Sequence, residues 1–275
     1  MTSCLICGCV KNCEQYLDNV FKNIEKIQKL FIKSKILISF DISNDFSLKR
    51  LIELKKNFDI DIIINKDPLT NCRTVNIERA RNKILNKIYN EYSDYEYFIM
   101  IDMDDVSAKP IYIESLIHGL NNHEEWDALF FNNQNYYDFW ALCIDDFQYS
   151  LWHSNNPKLL INEMNRILKN KFNNINNNEF LHCESAFGGF GIYKTNCFSN
   201  CIYKSQIDIS LFNPQNIQNI CSKYKIGYII NNNVYDCEHR YFHLNAIKKN
   251  NVRLRISKKF LFPPYIGEHI THIRN

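Results

Sequence analysis

Glycine and proline are scarce in this chain, 7 and 6 among 275 residues. No linker-like stretch divides it, and any clustering of glycines carries information. No sign of charge dominates: the formal net charge is +3, too balanced to argue for a nucleic-acid partner. No apolar run approaches the roughly 20 residues that a bilayer span needs. The opening "MTSCLICGCVKNC" lacks a basic segment followed by a long apolar stretch, so no secretory leader is expected. There is no internal repeat. The 11 cysteines are odd in number, and Cys4, Cys7 and Cys9 sit inside an apolar run. They read as reduced thiols of a cytoplasmic protein rather than a disulfide framework. Neither Cys7 with Cys9 nor Cys9 with Cys13 has the paired spacing of a zinc knuckle.

What is present is a chain 45% hydrophobic, long enough to bury a proper core. Asn-rich runs at 173–178 and 231–233 read as surface loops. Short apolar runs at 3–10, 35–41, 60–65 and 95–101 predict buried strands. Apolar residues at helical spacing predict helices over 13–31, 47–58 (with Ser47 as N-cap) and 74–92. This strict alternation implies a mostly parallel α/β sheet covered by helices on both faces. Beyond about residue 110 the pattern loosens. A helix is expected at 111–120, strands at 126–132 and 136–144, and a strand, loop and helix over 227–250. The stretch 150–180 reads as helix or loop, without a sharp signal. Three of the seven glycines fall within "FGGFGIY" (187–193), marking a close backbone approach. The expected organisation is one domain over 1–275, with a nucleotide-binding half at 1–110 and a smaller, mixed half at 111–275.

In parallel sheets ligands collect beyond the carboxyl ends of the strands. Asp41 closes one predicted strand. The stretch "YFIMIDMDDVSA" (97–108) drives another into three aspartates, Asp102, Asp104 and Asp105. Asp-x-Asp at a strand end is a simple way to hold a divalent ion beside a diphosphate. Carboxylate oxygens are hard ligands, and Mg²⁺ or Mn²⁺ fills its remaining positions with phosphate and water. The competing reading is an Asp-rich turn before Pro110.

Taken together, "IDMDDV", "NIERARNKIL", "YYDFWAL", "SAFGGFGIYK" and "CEHRYFH" resemble the nucleotide-sugar glycosyltransferases of the GT-A (Rossmann-like) fold. The likeness runs in order from Cys4 to about Phe262. With its Asn-rich loops, the chain is most similar to members from giant DNA viruses, which would place it in the host cytoplasm. The resemblance implies a hexosyl- or pentosyltransferase that takes a nucleoside-diphosphate sugar, first of all a UDP-sugar, with Mn²⁺ or Mg²⁺. The acceptor would be a hydroxyl on a glycan or glycoprotein. It implies that Cys9 and Val10 line the nucleotide pocket through their backbone, that Asp41 meets the base, and that Arg81 and Asn82 lie near the nucleotide. Asp102, with Met103 beside it, would contact ribose or sugar and assist Asp104 on the metal. His239 would be a second metal or diphosphate ligand, with His243 and His269 as competitors. Gly188 and Gly189 would leave room for the sugar. Glu184 is a candidate general base. The Glu-Asp pair of many inverting members is absent, so Asp138 and Asp236 stand as alternatives.

Plainer readings exist for each. Arg81 fits a solvated helix face, His239 a surface histidine, and Glu184 a loop carboxylate. Trp140, Tyr136 and Tyr137 fit a core or pocket wall, His182, His269 and His272 structural or exposed positions, and the glycines tight strand packing. Three other functions compete. In a haloacid-dehalogenase-type phosphatase Asp102 would be the nucleophile. A sugar-nucleotide-forming nucleotidyltransferase would need a Gly- and Arg/Lys-bearing loop after the first strand, which "CGCVKNCEQ" does not supply. A non-catalytic nucleotide-binding module would need no intact metal carboxylates.

Overall fold

The computed structural model describes residues 2–133, 136–229 and 234–264. Its first half is a regular alternation: β1 (Ser3–Val10), α1 (Glu14–Gln28), β2 (Lys33–Asp41), α2 (Ser47–Leu54), β3 (Ile60–Asn65), α3 (Arg73–Glu91) and β4 (Tyr97–Asp102). Then come α4 (Ile113–Asn121), β5 (Ala128–Asn132), α5 (Pro157–Asn174), β6 (Phe180–Cys183), β7 (Phe190–Lys194), α6 (Pro214–Tyr224), α7 (Glu238–Asn250) and β8 (Leu254–Phe260). The strands form one eight-stranded sheet in the order β3-β2-β1-β4-β7-β5-β8-β6. It is a mixed, mostly parallel sheet flanked by helices. Strands β7 and β6 run against the rest.

The alternation of side chains along β1 explains why both faces are covered. Cys4 and Ile6 pack with Leu17 and Val20 of α1, Leu51 of α2 and Leu116 of α4. Leu5 and Cys7 pack with Ile84, Leu85 and Ile88 of α3, Leu160 of α5 and Phe242 of α7. A strand buried on both sides reads as a continuous apolar run. The chain steps outward from β1 to β2 to β3, then returns across to β4 on the other side of β1. Right-handed crossovers put helices of opposite stepping direction on opposite faces. Hence α3 lies across the sheet from α1 and α2, and a crevice opens between the carboxyl ends of β1 and β4.

Several sequence expectations need correction. Ser47 does not precede its helix. It is the first helical residue, and its hydroxyl accepts from the Cys13 amide at 2.8 Å, while Asp45 accepts from the Ser47 and Glu14 amides. Residues 136–144 form no strand but a turn, whose strand-like pairing is limited to isolated bridges from Cys143 to Ser185 and Ile144 to Phe147. Its carbonyls at Trp140 and Leu142 are taken by the buried guanidinium of Arg240 instead of a neighbouring strand. The strand expected after Gly227 reduces to a single bridge, Ser154 to Tyr228, and residues 230–233 lie outside the described ones. Of the two readings of 150–180, helix or loop, the structure shows a helix over 157–174, which Asn156 caps by accepting from the Leu159 amide and Pro157 opens at its first turn.

Candidate active site

The aspartate segment sits at the crevice. Asp102 ends β4, paired in register with Cys9 at the end of β1. Met103 turns inward, 2% exposed, and packs so closely on Gly8 that a Cβ there would lie 2.6 Å from its sulfur. With Met103 inside, Asp102 and Asp104 on either side remain partly exposed. The Asp102 amide donates to the carbonyl of Gly189 at 2.9 Å, so the glycine turn lies against the aspartates. That turn needs glycine. Gly188 and Gly189 have φ of +65° and +84°, and a Cβ at Gly189 would stand 3.1 Å from Val106 and from the Tyr137 hydroxyl.

Asp104 is electrostatically uncomfortable. Burial, reinforced by the negative charges of Asp102 and Asp105, pushes its carboxyl up to about 7. An unbalanced knot of hard oxygen donors fits a divalent cation. Among the described residues no three His, Cys, Asp or Glu side chains form a metal cage. The chain would therefore supply one or two carboxylates and leave the other positions to phosphate and water. His239, proposed above as a further ligand, is 2% exposed and stacks on Phe187 at 3.8 Å. Its Nε2 faces an Arg81 terminal nitrogen at 2.5 Å, and burial beside that cation holds the imidazole well below its usual pKa. It is therefore neutral and turned toward Arg81.

Arg81 is the hub that sequence reading undervalued. It projects from α3, is 5% exposed, and lies over the rings of Phe187 and Tyr203 at 4.8 and 5.6 Å. One terminal nitrogen donates to Asp102 Oδ1 at 3.1 Å; the other donates to Glu238 Oε1. Glu238, missed in the sequence, opens α7 and is 4% exposed; burial raises its pKa and Arg81 opposes that rise. Asn82, one residue on, is spent on the Tyr203 backbone, bonding both its carbonyl and its amide. At the end of β2, Asp41 is buried and accepts from Asn65 at 2.8 Å. The thiol of Cys9 lies within the fields of Arg81, Asp102, Asp41 and Glu238, and burial pushes it up to about 12. Arg81, Asp102, Asp41 and Glu238 thus gather around Cys9 at the carboxyl ends of β1, β2 and β4, with Val10 ending β1.

The three candidate bases part company. Asp138 is half-buried and lies close enough to Asp102 and Arg81 to feel both; desolvation raises its pKa while the Gly188 and Ala141 amides donate to it. Asp236 is locked in an ion pair with Arg240 at 2.8 Å and also accepts from Trp140. Burial would raise its pKa, but Arg240 and His153 outweigh that and hold it low. Glu184 takes both amide bonds of Gln148; burial raises its pKa, and the negative charge of Asp145 adds to that rise. His243 is buried between Ser185 and the Tyr193 hydroxyl; His269 and His272 lie outside the described residues.

No family model and no curated protein matches the sequence. Among solved structures, S. aureus TarS 1–349 in complex with UDP-GlcNAc is similar with a TM-score of 0.47 at 13% identity, over 99% of this chain and 61% of that one. Glucosyl-3-phosphoglycerate synthase from Mycobacterium tuberculosis, in complex with Mn²⁺, UDP and phosphoglyceric acid, is similar with a TM-score of 0.42 at 10% identity, over 73% of this chain and 58% of that one. The chain spans 37% of the longer TarS structure. No helix among the described residues is long and apolar enough to cross a membrane.

Proposed function

We propose that the protein is a metal-dependent glycosyltransferase that moves a sugar from a nucleoside-diphosphate sugar, a UDP-sugar to be tested first, to an acceptor hydroxyl on a glycan or glycoprotein. One observation carries the reading. The Asp102–Asp104 carboxylates emerge beyond the carboxyl end of β4 at the crevice beside β1, with Asp41 at the neighbouring strand end. An open sheet binds its ligand at that place. Asp104, assisted by Asp102, would hold Mn²⁺ or Mg²⁺, and the cation would supply charge to the departing diphosphate. Asp41 accepts an N–H of the base. The amide groups near Cys9 and Val10 and the Gly188–Gly189 turn close around the ribose and sugar. Asp138, with its raised pKa, takes the proton of the acceptor hydroxyl. As that oxygen bonds to the anomeric carbon, the bond from carbon to diphosphate breaks and its electron pair leaves with the diphosphate. Holding both substrates together in this geometry accounts for much of the rate.

The phosphatase reading asks Asp102 to act as a free nucleophile, whereas its Oδ1 is engaged by Arg81. Calorimetric titration of UDP, GDP and CDP with and without Mn²⁺ decides between them. Metal-dependent binding of one diphosphate, lost in Asp104→Ala, supports the transferase and names the base. Absence of all nucleotide binding, with hydrolysis of a simple phosphate ester in Mg²⁺, moves the assignment to the phosphatase.

A further inference from the structure

Glu238 has no place in the reaction just described, yet it is among the most deeply buried carboxylates of the chain. It stands 157 positions from Arg81 in sequence and is nonetheless in direct contact with it. The guanidinium is shared. One terminal nitrogen serves Glu238 and the other serves Asp102 Oδ1, with Phe187 and Tyr203 against its face. The side chains of Arg81 and Glu238 are 6% and 5% exposed, while that of Asp102 is 34% exposed. The buried pair is thus closed off from solvent, and Asp102 is the end open to it.

We infer that Glu238 is a positioning residue for the cation-binding carboxylates and acts through Arg81. The inference rests on the transferase reading. A guanidinium balanced by Glu238 holds Asp102 in place by a directed hydrogen bond without cancelling its charge. Without the Glu238 charge, the same guanidinium would confront Asp102 as a full, desolvated cation. It would neutralise the carboxylate and repel a divalent ion beside it. Residues behind metal ligands commonly carry ten- to a hundredfold of metal affinity in this way.

The test is calorimetric titration of UDP, GDP and CDP, with and without Mn²⁺, into the wild-type chain, Glu238→Gln and Glu238→Asp, with the melting temperature of each. Glu238→Gln is expected to lose about ten- to a hundredfold of the affinity that Mn²⁺ adds, while metal-free nucleotide binding stays within about twofold of wild type. Glu238→Asp, which keeps the charge on a shorter arm, should fall between. Should Glu238→Gln fail to fold, Glu238→Asp is read by the same ratio. If the variant that folds keeps the full enhancement by Mn²⁺ and loses only melting temperature, Glu238 merely holds α7 to α3 and the inference is wrong. If the wild-type chain itself binds no diphosphate under either condition, the transferase reading and this inference fall together. The wild-type arm therefore separates the two failures.

Discussion

Two buried arginines invite comparison. Arg81 and Arg240 are both at most 5% exposed, and each is paired with a buried carboxylate at or just before the start of α7. Around Arg240 both terminal nitrogens are spent. Asp236 lies 2.8 Å from its Nε in an ion pair, and the terminal nitrogens reach the carbonyls of Trp140 and Gln148 and the Cys143 sulfur. It pins the loop over 139–148. Around Arg81 the balance is incomplete: its second carboxylate is partly exposed, and the neighbouring Asp104, crowded by Asp102 and Asp105, is only partly offset by Arg73 and the Val106 amide. A satisfied buried network rigidifies; an unbalanced one at a crevice marks where a ligand completes it.

The comparison breaks most sharply at Asp104. Asp104→Asn should cost about a thousandfold or more in sugar transfer, since metal stabilisation of the leaving group is lost. It should also raise the stability of the metal-free protein by about 1–2 kcal/mol at pH 8, because a charge crowded by Asp102 and Asp105 is removed. Paired activity and urea-unfolding measurements check this. Full transfer in the variant would end the proposed role.

Arg240→Met tests the other arginine. It strands Asp236 in the core, and breaking such a pair costs about 3–5 kcal/mol. The loss should appear in unfolding midpoints, with metal-dependent nucleotide binding per folded molecule unchanged. A selective loss of nucleotide binding with normal stability would mean that the two arginines are not distinct in kind.

The candidate bases sharpen the contrast further. Asp138→Asn should lower kcat by about 10²–10⁴ with little change in donor binding. Glu184→Gln should stay within about tenfold of wild type, because its carboxylate faces Gln148 and Asp145 rather than Arg81. A reversed order in steady-state kinetics would hand the proton to Glu184.

Much of the first region was legible in the sequence. The strand at 60–65 was placed to the residue, and Asp41 and Asp102 fall at strand ends as read, because a strand buried on both faces leaves an unbroken apolar run. The second region resisted. The alternation in "YYDFWALCI" mimics a strand, but the hydrogen bonds that would decide it go to an arginine about a hundred residues away. The segment "CEHRYFH" looks like a solvated helix start, yet Glu238, His239, Arg240 and His243 are all buried. Burial of charge depends on partners brought together by the fold, and no local period encodes those partners. The Asn-Pro pairs at 156–157 and 213–214, each opening a helix, were a readable signal passed over.

The smallest expected effect is the most diagnostic of the Arg81 side. In the folded chain the Asp104 carboxyl titrates near pH 7, above its unfolded value near 4. Its contribution to stability is therefore fully present below about pH 4 and is lost as pH rises through 7. A cation competes with that proton and relieves the charge. The rise in melting temperature on adding Mn²⁺ with a nucleoside diphosphate should thus be larger at pH 8 than at pH 6, by a few degrees. This follows from roughly 1 kcal/mol shifting the midpoint by about 2–4 °C in a chain of this size. Differential scanning calorimetry at the two pH values, with Asp104→Asn as the reference, reads the difference directly. An increment equal at both pH values, or one that survives in the variant, would mean that the cation does not bind against Asp104.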